Sequence, residues 1–100
     1  MQLELEFYNT IHQKGTELEK CIHTAQKQGE AILKIMKIIN RPLTPYQVKH
    51  VYERYRKHSI LITSVRRSLT NLTNTGHLEK TDKRVLGEYG SPNHLWKVKP

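Results

Sequence analysis

Two short stretches, Asn40-Arg41-Pro42 and Thr44-Pro45-Tyr46-Gln47, limit this chain more than any other feature. Proline lacks an amide donor and its ring clashes with the preceding turn, so a helix arriving at residue 39 has to stop. Just beyond, Thr44 can cap a new helix, Pro45 suits its first position, and Gln47 can reach back to complete a capping box. One helix closes and another opens within a handful of residues. The rest of the fold has to be arranged around that junction.

Apolar spacing describes what lies on either side. Leu18, Ile22, Ala25, Gly29, Ile32, Met36 and Ile39 advance by 4, 3, 4, 3, 4, 3, a heptad-like seam. Thr16 and Glu19 predict a capping box at its start. Gly29 interrupts it, which predicts two helices over about 17–28 and 30–39. The stripe Ile32, Ile35, Met36, Ile39 is the core-facing part. Past the junction, Val48, Val51, Tyr52 and Tyr55 form the next stripe, with the helix ending near His58. Ser59-Ile60-Leu61-Ile62 reads as an apolar connector. Thr63 is then expected to cap a further helix with Val65, Leu69 and Leu72 facing inward, and Gly76 falls where a left-handed C-terminal cap belongs.

The two ends of the chain change period. Residues 2–8, QLELEFY, alternate apolar and polar side chains and predict a short strand. Residues 77–82 and 94–99 read as strands joined by KRVLGEYGSPN, a loop marked by Gly87, Gly90 and Pro92. In the second strand Trp96 and Val98 share one face, and Leu95, Lys97 and Lys99 the other. The expected class is mainly α with a small β-hairpin (α+β). Residues 1–28 form an N-terminal extension read as a dimerisation segment, and residues 29–100 one domain.

Charge narrows the partners. The chain carries 17 Lys+Arg against 9 Asp+Glu, a net charge of +8. Residues 1–50 hold seven basic and five acidic side chains, whereas residues 51–100 hold ten and four. The field of the second half points to a polyanion. With Cys21 as the single cysteine no internal disulfide can form, and no apolar run approaches a membrane span. The N-terminus lacks the order of a signal peptide, so a cytoplasmic address is expected.

Several of these segments together resemble a known family. Ser64-Val65-Arg66-Arg67, Leu69, Leu72, Thr75-Gly76, Leu78-Glu79-Lys80, and Gly90-Ser91-Pro92 through Trp96-Lys97-Val98 are similar to the winged helix-turn-helix domains of bacterial and phage transcriptional regulators. The resemblance covers roughly residues 30–99 and leaves the first thirty unassigned. It implies a three-helix core with a two-stranded wing. It also implies double-stranded DNA binding, usually as a homodimer, with the third helix in the major groove.

The residues facing outward from that helix suit such a role. With Val65, Leu69 and Leu72 inward, the opposite side centres on Arg67 and Asn74, flanked by Thr70 and Asn71. Ser64 joins at the N-terminal end, and Arg66 lies to one side, towards Thr73, as the candidate for a phosphate contact. Arg can fork to guanine and Asn can pair with adenine. Lys80, Lys83 and Arg84 form the expected wing contacts to the DNA backbone. Tyr46 and Gln47, and beyond them Arg54, Arg56 and Lys57, are further backbone candidates, while Trp96 is expected in the core.

No His/Cys set has metal-site spacing, no nucleophile–base motif or phosphate loop appears, and no cofactor or small-molecule ligand is implied. Two alternatives stand beside the DNA reading. One is a winged-helix protein–protein adapter encoded by a phage or mobile element, and the other is non-specific or double-stranded RNA binding.

Overall fold

The computed structural model describes residues 9, 11–56, 58–86 and 92–100, with the backbone alone for 83–86, 92 and 93. Its elements run α1 (Gly15–Thr24), α2 (Gln28–Ile39), α3 (Pro45–Arg56), α4 (Ile62–Asn74), β1 (Leu78–Leu86) and β2 (Pro92–Val98). The two strands pair antiparallel, so the architecture is α+β and mostly helical. The alternating segment 2–8 and the hairpin tip with Gly87 and Gly90 lie outside the described residues. Among the described residues no helix is long and apolar enough to cross a membrane.

The heptad-like seam is shared between two helices of one monomer. Leu18, Ile22 and Ala25 are buried in one cluster with Ile32, Ile35, Met36 and Ile39. Val48, Val51 and Tyr52 of α3 and Val65 and Leu69 of α4 complete that cluster. Each helix buries one stripe against the others, as an amphipathic helix must. The break between α1 and α2 falls at residues 25–27, so Gly29 lies inside the first turn of α2.

The Thr16/Glu19 capping box is not formed. Residues 11–13 are already helical, and α1 starts at Gly15 after Lys14 with no side-chain cap. Its C-terminal end is held from α3 instead. Arg56 Nη1 donates to Ile22 O at 3.3 Å and to Ala25 O at 3.0 Å, at the carbonyl end of the helix. Gly15 approaches the same helix, since a Cβ there would lie 3.2 Å from Tyr55 Oη.

At the junction the local chemistry runs as the sequence predicts. Asn40 takes the left-handed conformation (φ 51°) and ends α2. Thr44 Oγ1 accepts the Gln47 amide at 3.2 Å, and Gln47 Oε1 accepts the Thr44 amide at 2.9 Å. Between them Leu43 exchanges two backbone hydrogen bonds with Trp96, each 2.8 Å, in an antiparallel bridge. That bridge docks the hairpin on the α2–α3 junction. Both Leu43 and Trp96 are buried in the core.

Helix α3 ends at Arg56, short of His58. The turn that follows is held by Glu53, whose Oε2 accepts the Ile60 amide at 3.0 Å while Oε1 pairs with Lys49 Nζ at 3.0 Å. Ile60 is thereby seated in the core.

The hairpin is longer than its sequence suggests. Arg84, Val85 and Leu86 pair with His94, Asn93 and Pro92, so residues expected in a loop belong to the ladder. Pro92 is tolerated because it stands at the first position of its strand. Between Lys80↔Trp96 and Arg84↔His94 the register shifts, and residues 81–83 bulge opposite Leu95. Leu95, expected on the face opposite Trp96 with Lys97 and Lys99, is buried, as is Trp96. His94 Nδ1 lies 3.3 Å from Thr81 O and, in its Nδ1–H form, donates to the bulged carbonyl.

Candidate nucleic-acid interface

Helix α4 presents the candidate surface. Its cap falls two residues earlier than predicted, at Leu61 rather than Thr63. The Leu61 carbonyl accepts the Ser64 and Val65 amides at 3.0 and 3.1 Å. No side chain caps this end, and Thr63 sits exposed within the first turn. The other end closes as a Schellman motif. Gly76 at φ +87° donates to Thr73 O at 3.1 Å, and His77 to Leu72 O at 2.9 Å.

Val65 and Leu69 are fully buried and Leu72 packs partly against the core. This fixes the rotation of the helix. Arg66, Arg67, Thr70, Asn71 and Asn74 are all exposed, and Ser64 is half-buried. No aspartate or glutamate occurs between residues 62 and 74. The threonines divide by role. Thr73 Oγ1 donates to Leu69 O at 2.7 Å, and Thr75 Oγ1 to Asn71 O at 3.1 Å. These two serve their own helix. The side chains of Arg67, Thr70, Asn71 and Asn74 make no hydrogen bond or ion pair with other described residues, which leaves their donors to solvent or to a partner.

Two of the residues singled out from the sequence meet. Arg66 of α4 lies over the ring of the half-buried Tyr46 of α3, its guanidinium carbon 5.7 Å from the ring centroid. Gln47 has its side-chain oxygen committed to the capping box. Lys80 is exposed at the base of β1, its Nζ 5.3 Å from the Trp96 ring centroid. The side chains of Lys83 and Arg84, and all of Lys57, lie outside the described residues; the backbones of Lys83 and Arg84 belong to β1. Arg54 lies over Tyr55. Arg56 is turned towards α1, where it caps carbonyls.

The electrostatics leave the stripe positive. Glu79 is paired with Lys97 at 3.0 Å and Glu53 with Lys49 at the turn. The Glu53 carboxyl is held below its ordinary range, first by the Ile60 amide and then by Lys49. Three features escaped sequence reading: the Leu43–Trp96 bridge, the Glu53 clamp on Ile60, and the exposure of Leu61. Only the last had a local signal, since one of three consecutive apolar residues in a turn has to point outward.

No protein-family model, curated protein or solved structure matches the chain.

Proposed function

We propose that this chain is a winged helix-turn-helix regulator that binds double-stranded DNA sequence-specifically, with α4 in the major groove and the β1–β2 hairpin as the wing. The observation that carries this reading is the exposed, acid-free stripe Arg66, Arg67, Thr70, Asn71 and Asn74, set outward by fully buried Val65 and Leu69. Short amides and hydroxyls are mediocre helix formers, so five such side chains among residues 70–75 lower helix propensity. Hydrogen bonds to base edges would offset that cost.

In this reading Arg67 forks to a guanine, and Asn71 and Asn74 face adenines. Arg66, Lys80, Lys83 and Arg84 lie along phosphates, with Ser64 and Thr70 as hydroxyl donors and Tyr46 and Gln47 beside the backbone. The Leu43–Trp96 bridge supports it further, because it docks a hairpin at the start of α3. The heptad-like seam packs into the chain's own core, and the homodimer expected from residues 1–28 is a separate question. Stoichiometry on DNA is therefore a measurement to make with the binding test.

The test is selection of bound duplexes from a random pool, with light scattering on the recovered complex. A short consensus competed poorly by unrelated duplex is the expected result. Retention of no duplex even at low salt, or equal competition by any sequence, overturns the proposal.

A further inference from the structure

Opposite its buried stripe, α4 carries one line of side chains. At about 100° per residue, Thr63, Arg67 and Asn74 all fall within about 30° of the direction opposite Val65, Leu69 and Leu72. Thr70 and Asn71 stand further round, about 50° to either side. All five are exposed. Sequence reading assigned Thr63 to capping, but the structure places it inside the first turn and on that line. Its hydroxyl makes no hydrogen bond with the described residues. Thr73 and Thr75 turn theirs back on carbonyls of the preceding turn. Thr63 has no such turn behind it, because Ser59, four places back, precedes the helix.

A helix laid along a groove turns its outermost line to the floor, where base edges lie, and its flanks to the walls, where phosphates lie. Thr63 belongs to the outermost line, whereas Arg66 stands on a flank, over Tyr46. Threonine carries a hydroxyl and a methyl group on one carbon. Thymine shows an O4 acceptor and a C5 methyl side by side in the major groove, and no other base shows both.

Resting on the DNA-binding reading above, we infer that Thr63 is a specificity-determining residue that reads a thymine, its hydroxyl donating to O4 and its methyl packing on the C5 methyl. Four residues of helix rise about 6 Å. At roughly 3.4 Å per base, this thymine stands about two steps from the guanine of Arg67, on the side away from Asn74.

The experiment uses the duplex selected by the wild-type protein, with each dT replaced in turn by deoxyuridine, which removes only the methyl group. It compares the wild type with Thr63→Ser and Thr63→Val. Both are surface substitutions and should melt with the wild type, which shows that they are folded. One thymine-to-uracil change, about two steps from the guanine that Arg67→Ala relaxes, should weaken the wild type about three- to fivefold, the worth of one buried methyl. Thr63→Ser keeps the hydroxyl without the methyl and should bind both duplexes alike. Thr63→Val keeps the methyl and should still distinguish them, while binding each roughly two- to tenfold more weakly than wild type for want of the hydrogen bond. Absence of a uracil-sensitive thymine at that place, or equal responses from the two variants, overturns the inference while leaving DNA binding intact. Failure to select any duplex overturns the DNA reading itself, and this inference with it.

Discussion

The guanidinium carbon of Arg66 lies 5.7 Å from the centroid of the Tyr46 ring, so the front of α4 is fastened to the front of α3 by a cation over an aromatic face. Such a pair at a partly exposed site is worth about 0.5–1 kcal/mol. A double-mutant cycle of Tyr46→Leu and Arg66→Ala, read by urea unfolding, should return a coupling of that size. Tyr46→Phe should keep it, because the ring and not the hydroxyl makes the contact. A coupling of zero would show the two side chains to be neighbours only.

On the selected duplex the two arginines of α4 should separate. Arg67→Ala is expected to cost roughly 1–3 kcal/mol and relax the preference at one base position. Arg66→Ala should weaken all sequences alike and reduce the magnitude of the salt slope by about one. Titrations at several salt concentrations check both. A change of base preference on removing Arg66 would reverse the assignment.

Glu53 joins α3 to the turn before α4 through the Ile60 amide. Glu53→Ala leaves that amide without its acceptor and should cost roughly 1–3 kcal/mol. The pH dependence has a definite sign. The folded pKa of Glu53 lies below its ordinary 4.5, so its stabilisation is fully present above that value and is lost as pH falls through the lowered folded pKa. Glu53→Gln keeps an acceptor but not the charge. Its melting temperature should therefore lie furthest below wild type at neutral pH and converge on it in acid. A constant gap across pH would remove the charge from the account.

Arg56 Nη1 donates to two carbonyls at the end of α1, and its guanidinium carbon lies 5.7 Å from the Tyr52 ring centroid. Charged hydrogen bonds of this kind contribute about 1.5–3 kcal/mol. Arg56→Met should lose that and raise amide exchange in α1 well before exchange rises in α4. Uniform exchange across the chain would show that α1 is held by its apolar stripe alone.

Two glycines should respond to alanine with opposite signs. Gly76 sits at φ +87°, so Gly76→Ala is strained by about 1–2 kcal/mol although a Cβ would meet nothing within 4 Å. Gly29 is helical and equally open, and Gly29→Ala should stabilise the fold by roughly 0.5 kcal/mol. Urea midpoints of the two variants on either side of wild type are the expected result.

What could be read from the sequence was the chemistry that neighbours enforce on one another. Thr44 and Gln47 cap as a pair because both partners lie within one turn, and Gly76 ends α4 because few residues accept its backbone. The inward stripe of α4 followed from spacing alone, and with it the face of every outward residue. Thr16 looked like a cap for the same local reasons, but helical residues precede it, and no capping motif reports what comes before it. The length of the hairpin and the burial of Leu95 depend on strand pairing. No local pattern near Leu43 announces a partner at Trp96.

That partnership has a kinetic meaning. Leu43 and Trp96 are 53 positions apart, and their bridge closes a loop containing α3, α4 and most of the hairpin. Helices, turns and hairpin can each form from nearby residues, whereas this closure costs chain entropy before it returns any contact. Chain entropy alone would therefore order this closure after the local elements. Substitutions at Leu43 would show mainly as faster unfolding, with refolding nearly unchanged.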